Sequence, residues 1–429
     1  MTSLSSGKLW GLRRLADERG LFRMLAVDQR PPIMNRLRSL RGAAPDAEVS
    51  AVKRLLVEEL ARHASATLVD PVWAWPFVWD VLDPRRGLVV TLESHAFADG
   101  PGGRRTASIP GWSVAKIRRM GGDAVKVLAY YRPDAAPEVI EHQKAYVRTV
   151  GEACRAQDLP FVLELLVHPL AAARPGGDYV EDPDKRPELV LESVRTFAAP
   201  EFGVDLFKLE SPIPAEAVPD PDGPAAARVQ ALFDALGLAA GRPWVMLSAG
   251  AGRDAFRRVL AFAFRAGASG FLAGRAIWWE AFGAWPDAVA MRTRLREVSV
   301  PYLDSISGLA QARATPWHRH PAFAPDGPKL AGAGHDFAER FPETVSSGCT
   351  RLVVALSSDH TRRGDRPCCD LSWSSSPCAS RHPRRPRRNA PPTSRAAATI
   401  RRSSATRARS SSRSRRRRST SSSWRSAPT

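Results

Sequence analysis

Three ionisable residues stand where ionisable residues are costly. Lys126 in DAVKVLAYY (123–131), Glu164 in PFVLELLVH (160–168) and Lys208 in VDLFKLE (204–210) each interrupt an otherwise apolar run. A buried charge carries a large desolvation penalty unless it is paired, and lysine is a poor strand residue. One such residue alone reads equally well as half of a structural ion pair. Three on consecutive runs read as a functional site, because perturbed ionisable groups cluster at such sites. Two buried lysines and a carboxylate suit attack on a carbonyl. A lysine must be neutral to form a Schiff base, and both desolvation and a second ammonium favour the neutral form. A carboxylate between the lysines would carry the protons of carbinolamine dehydration. Glu210, two residues beyond Lys208 on the same strand face, reads as a supporting ion pair rather than a reacting group.

A second signal lies further along. SAGAGRDAF (248–256) and AGRAIWWEA (273–281) each place glycines directly before a helical period. Glycine lets the backbone approach an anion closely, and helix N-termini present amides to it. Arg275 would clamp oxygens bidentately, and Ser248 would donate a hydroxyl. Ser248, Gly250, Gly274 and Arg275 together are expected to bind a phosphate or similar oxyanion.

These residues need a scaffold that brings them to one place. Eight short runs rich in branched residues recur over residues 20–275, at 22–30, 66–71, 88–94, 123–131, 160–168, 204–210, 244–250 and 268–275. Most are continuous rather than alternating, the mark of parallel strands buried on both faces. Helical periods at 46–63, 137–157, 188–197, 225–236, 254–266 and 276–298 separate most of them. This alternation predicts βαβ units. Eight units over this length match a (β/α)8 TIM barrel, an α/β fold, with an open doubly wound sheet as the alternative. Residues 4–19 read as an extra N-terminal helix over one end. In such a barrel the chemistry sits where the strands end. There the first run supplies Asp28, Gln29 and Arg30, the second Asp70, and the third Glu93, Ser94 and His95.

Metal chemistry is a competing reading. His95 and His168 fall at strand ends, yet no close ligand cluster accompanies them, and zinc needs three or four ligands. No metal and no organic cofactor are expected. The chain carries a net charge of +19, but residues 351–429 alone hold 20 Arg, three Asp and neither Lys nor Glu. That stretch contributes +17 and leaves the body near neutral. Residues 345–429, with text such as SSSRSRRRRSTSSSWRS, read as a disordered low-complexity tail with the composition of a GC-rich gene translated out of frame. The rival reading makes that tail a nucleic-acid binder. Cys154 stands alone in the body while Cys349, Cys368, Cys369 and Cys378 lie at or beyond its end, so no disulfide framework is expected. Without an apolar leader or span, the expected compartment is the cytoplasm, with no membrane partner. The expected division is a barrel over 1–320, an extension over 321–344 and the tail over 345–429.

The motifs LAVDQR (25–30), DAVKVLAYY, PFVLELLVH, VDLFKLE, WVMLSAG (244–250) and GASGFLAGRAIW (267–278), in that order, resemble those of the class I tagatose 1,6-bisphosphate aldolases. Close relatives of that family, the 6-deoxy-6-sulfofructose-1-phosphate aldolases, share them. The resemblance covers about residues 8–320. It implies a carbon–carbon lyase that cleaves a ketose bisphosphate to dihydroxyacetone phosphate and glyceraldehyde 3-phosphate. It implies Lys208 as the Schiff-base lysine, Lys126 as its cationic neighbour and Glu164 as the acid/base. Asp28, Gln29 and Arg30 would lie in the substrate pocket, and Ser248, Gly250, Gly274 and Arg275 would hold a terminal anion, phosphate or sulfonate. A metal-dependent aldolase stays open as an alternative, as does a homo-oligomer. DPVWAWPFVWD (70–80) departs from the family's shorter loop, so Trp73, Trp75 and Trp79 are expected at the pocket rim or at a subunit interface.

Overall fold

The computed structural model describes residues 3–100, 102–168, 170 and 186–341, all within one compact unit. The expectations for residues 345–429 lie outside the described residues. Eight parallel strands close into a barrel in sequence order: β1 (Phe22–Ala26), β2 (Ala66–Val69), β3 (Gly87–Thr91), β4 (Ala124–Tyr130), β5 (Phe161–Leu166), β6 (Leu206–Leu209), β7 (Trp244–Met246) and β8 (Gly270–Ala273). Closure comes from β8 pairing with β1, Gly270 opposite Phe22 and Ala273 opposite Leu25. An open sheet is thereby excluded. Among the described residues no helix is long and apolar enough to cross a membrane.

Period-two alternation sorts the side chains into an inner and an outer face. Outward residues such as Leu25, Val69, Val127, Leu163 and Phe207 join the main core against the helices. Inward residues Met24, Leu68, Val89, Ala124, Val162 and Leu206 fill the lower barrel with an apolar layer. Two residues further along their strands, on the same inward face, come Lys126, Glu164 and Lys208. Glu164 and Lys208 are register partners on β5 and β6, and Lys126 pairs with Val162 on the rung below. The three expected site residues therefore form one inward layer above an apolar floor.

The floor is sealed from below. Helix α1 (Ser6–Leu15) buries Leu12 and Leu15 against Phe22, Trp317 and Phe323. Its start is held by Asp158, whose carboxylate accepts the Gly7 amide at 2.6 Å and the Ser5 hydroxyl. Lys8 Nζ donates to Asp205 at 2.8 Å. The chain after residue 320 returns to this end, where Lys329–Leu330 pairs with Ser3–Leu4. The N-terminal helix is thus present as read.

Several elements differ from the sequence reading. The run at 22–30 is strand only to Ala26. Pro31 starts helix α2 (Pro31–Arg41), which leaves Asp28, Gln29 and Arg30 on the connecting loop. Helix α3 (Asp46–Leu60) follows. The helical period at 276–298 is broken: one helix ends at Phe282, and Asp287 caps the next by accepting the Val289 and Ala290 amides. Gly283 and Pro286 between them do not support a continuous helix. Beyond β3, a short hairpin pairs Ala98–Gly100 with Gly103–Arg105, an insertion that periodicity did not reveal.

Barrel closure rests on close backbone approach at Gly270. Its φ is +146°, and an added Cβ would lie 1.9 Å from the Phe22 carbonyl oxygen. Gly270→Ala is expected to cost about 3 kcal/mol or more, since the strained backbone and the obstructing carbonyl both belong to the barrel wall. Urea unfolding measures this, and a loss under about 1 kcal/mol would show that β8 and β1 part freely there.

Candidate active site

Lys126 is the centre of the upper barrel. Its Nζ lies 2.9 Å from Asp28 Oδ2, 2.8 Å from Glu93 Oε1 and 2.7 Å from Glu164 Oε2. The partners come from the β1 loop, the end of β3 and the middle of β5. All four side chains are nearly or wholly buried. Burial alone would discharge Lys126, but the charges of Asp28, Glu164 and Glu93 prevail and raise its pKa well above the ordinary value. Burial likewise pushes the Asp28 carboxyl up, yet the Lys126, Lys208 and Arg30 charges hold it below the usual carboxylate range. Glu164 is also held below that range: Lys126 and Lys208 outweigh its desolvation.

Glu164 has a second oxygen, and Lys208 Nζ stands 2.9 Å from it. One carboxylate thus bridges two ammonium positions across three adjacent strands. The charge of Lys126 is largely compensated by three carboxylates, so Glu164 is the ionic neighbour that Lys208 meets at contact distance. Glu210 has another task. Its Oε1 accepts the Val167 amide at 2.6 Å and holds the end of β5.

Arg30 completes the cluster. It donates from Nη2 to Glu93 Oε1 and from Nη1 to the Glu93 carbonyl, both at 3.2 Å. Three buried polar atoms here have no partner among the described residues: Gln29 Oε1, Arg30 Nε and Glu93 Oε2. Their residues line the same cavity, together with Lys126, Glu164 and Lys208. Two acceptors and a donor without partners beside such a cavity suit a ligand rich in hydroxyls.

The expected anion corner lies beside this centre. Ser248, Gly274 and Arg275 line a recess with Gln29, Glu164 and Lys208. Gly274 precedes the helix Arg275–Phe282, and Gly252 precedes the helix Arg253–Arg265. Gly250 has φ +90°, and a Cβ there would stand 3.0 Å from Arg275 Nη1. Glycine therefore leaves the guanidinium room against the backbone. All ten residues singled out from the sequence are brought to the carboxyl end of the barrel, within the two adjoining cavities or, for Gly250, against Arg275.

The tryptophans act less directly. Trp73 donates from Nε1 to Asp46 at 2.7 Å and meets the His95 ring edge-on at 5.3 Å. His95, not Trp73, lines the cavity. Burial and the Arg30 charge lower the His95 pKa, which favours the neutral ring. Trp79 is exposed. His168 meets the Tyr130 ring edge-on at 5.3 Å and joins an aromatic wall. Burial raises the Tyr130 hydroxyl to about 12, so it stays protonated.

Glu93 was placed among the strand-end residues but given no role, and Lys53 was not singled out. Glu93 ends an apolar run, LVVTLES, and the buried-charge argument that flagged Glu164 would have found it. Lys53 is the single lysine of α3, and the helical period of DAEVSAVKRLLVEEL sets it on the apolar face with Val49, Leu56 and Leu60, a signal that could have found it.

Among the described residues no group of three His, Cys, Asp or Glu side chains is placed to hold a metal. Asp28, Glu93 and Glu164 do converge, but on the Lys126 ammonium.

Residues 22–280 match the sequence profile of the DeoC/LacD family aldolases. The chain is 31% identical over 323 residues to a tagatose 1,6-diphosphate aldolase of Streptococcus agalactiae, covering 73% of this chain and 98% of that protein. It is 31% identical over 329 residues to one of Listeria monocytogenes, covering 74% and 95%. Its fold is similar to that of a fructose-bisphosphate aldolase from Plasmodium falciparum, with a TM-score of 0.53, 14% identity and 73% and 98% of the two chains covered. A profile match over most of the barrel, with relatives aligned almost end to end, makes this chain a member of the DeoC/LacD aldolase family and a carbon–carbon lyase.

Proposed function

We propose that the chain cleaves a ketose bisphosphate, reversibly, through a Schiff base on Lys208. The substrate proposed is tagatose 1,6-bisphosphate, the sugar in its relatives' names, and the products are dihydroxyacetone phosphate and glyceraldehyde 3-phosphate. The observation that carries this reading is the Glu164 carboxylate, 2.9 Å from Lys208 and 2.7 Å from Lys126.

Glu164 takes a proton from Lys208, whose free amine attacks the ketose carbonyl carbon. The carbinolamine that forms loses water when Glu164 returns the proton to the departing hydroxyl. The resulting iminium is the electron sink. Glu164, again a carboxylate, takes the proton of the hydroxyl on the fourth carbon, and the bond between the third and fourth carbons breaks. The aldehyde leaves, and the bonding pair passes into the iminium to give an enamine. Glu164 returns that proton to the third carbon, and water hydrolyses the iminium to release the second product and restore Lys208. Lys126 remains charged throughout, fixed by its three carboxylates, and stabilises oxygen atoms that gain negative charge.

Asp28, Gln29 and Arg30 are assigned to the sugar hydroxyls, in line with the unpartnered atoms of Gln29 and Arg30. Ser248, Gly250, Gly274 and Arg275 are assigned to a terminal phosphate. The iminium takes the place of a Lewis acid, so the reaction is proposed to need neither metal nor organic cofactor. The proposed compartment is the cytoplasm.

Borohydride added with ketose bisphosphate should inactivate the protein and label Lys208. Mass spectrometry of the digested protein locates the label, and undiminished labelling of Lys208→Arg would refute the assignment.

EDTA should leave the rate unchanged. Loss of activity on chelation, restored by a divalent ion, would support metal assistance in place of the iminium.

Glu164→Gln and Arg275→Ala should fail differently. Loss of the proton carrier should lower kcat by about 10²–10⁴. Loss of a charge-assisted anion contact of about 1.5–3 kcal/mol should lower kcat/KM by about 10- to 150-fold, mainly through KM. Steady-state kinetics on phosphorylated and unphosphorylated ketose separate the two. Equal impairment of Arg275→Ala on both substrates would place the anion elsewhere.

A further inference from the structure

Helix α3 carries a lysine with no exposed surface. Lys53 Nζ lies 2.6 Å from the Val27 carbonyl oxygen and 2.6 Å from Asp70 Oδ2. Both side chains of the pair are 0% exposed. Neither group has a part in the chemistry proposed above.

What they hold is informative. Val27 directly precedes Asp28, whose carboxylate meets Lys126. The Val27 amide is still in the barrel ladder, donating to Leu68, but β1 has ended and its carbonyl takes its hydrogen bond from Lys53. Asp70 turns its other oxygen to the next loop and accepts the Val72 and Trp73 amides at 2.9 and 2.7 Å. Asp46, the first residue of the same helix, accepts the Trp73 indole N–H. Trp73 in turn packs against His95 at the cavity wall. One helix therefore grips the loop after β1 and the loop after β2 from behind.

Stability alone does not call for this pair. Apolar residues of similar volume commonly replace a buried ion pair without loss, and often with gain. An apolar side chain from α3, however, would leave the Val27 carbonyl without its donor and the two loops without a common anchor. We propose that Lys53, held by Asp70, is a positioning residue that locks the 27–30 loop and the 70–73 loop in one register, so that Asp28 reaches Lys126 and His95 lines the cavity. This rests on the reading that Asp28 and Arg30 act on the sugar.

The test is the double variant Lys53→Met/Asp70→Asn. Asparagine keeps an acceptor for the Val72 and Trp73 amides, methionine keeps the volume, and no buried charge is left alone. The expected result is a melting temperature within a few degrees of the wild type, about 10²-fold lower kcat with ketose bisphosphate, and continued borohydride trapping on Lys208. Amide exchange in the peptide spanning Val27–Arg30 should accelerate. A folded double variant with wild-type kcat, KM and exchange at Val27–Arg30 would overturn the proposal and leave the pair a structural one. Should the double variant not fold, Asp70→Asn alone decides by the same exchange measurement, faster exchange supporting the anchor and unchanged exchange refuting it. Failure to trap the wild type would count against the Lys208 chemistry instead, because the exchange arm needs no catalysis.

Discussion

The contact between Lys126 and its three carboxylates is the constraint around which the upper barrel is arranged. An ammonium this deeply buried is tolerated because Asp28, Glu93 and Glu164 reach it from three separate elements. Two of them have a further task. Glu93 fixes Arg30, and Glu164 reaches across to Lys208. Lys126, Lys208 and Arg30 stand against three carboxylates, so the cluster is close to neutral with all six groups charged. Removing any one leaves another buried charge without compensation, which gives the group its rigidity and its position.

The apolar floor explains why such a cluster survives at all. Val89, Ala124, Val162 and Leu206 fill the barrel directly beneath it, and α1 with Trp317 and Phe323 closes the opposite end. Water therefore reaches the charges from the mouth alone. In that setting a preorganised ammonium or carboxylate acts with more force than in solution, because little reorientation is needed when charge shifts. Division of labour follows from the strand order. The groups assigned to the chemistry occupy β4, β5 and β6, while the proposed anion corner is built from the glycine-rich turns after β7 and β8. Gln29, Glu164 and Lys208 border both cavities, so one extended substrate is proposed to span the two.

The helical layer contributes more than apolar cover. Lys53 and Asp46 of α3 reach the loops after β1 and β2, and Asp158 and Asp205 tie α1 to the floor. Loops that carry function need such anchors because their own backbone makes few regular hydrogen bonds. The side chains assigned to the sugar hydroxyls sit on one such loop, whereas the groups assigned to bond-making sit on strands.

Much of this was legible along the chain, and the reason is the short range of the signals. Continuous branched runs reported strands buried on both faces, and their number and spacing reported the closed barrel. Lys126, Glu164 and Lys208 were visible because a charge inside an apolar run is costly wherever the run folds. Glycines before helical periods marked the anion corner in the same local way. Other features depended on groups far apart in sequence. Arg30 meets Glu93 across 63 positions, and no spacing rule links a loop after one strand to the end of another. Lys53 shares the apolar face of its helix with Val49 and Leu56, but only tertiary packing supplies the Asp70 carboxylate and Val27 carbonyl that hold it. The identity of Lys126's neighbours was hidden for the same reason. Sequence reported that a second cation stood near Lys208. The closing of the barrel decided that three carboxylates would surround that cation, because side-chain contacts are fixed by strand register and tilt, which no single strand encodes.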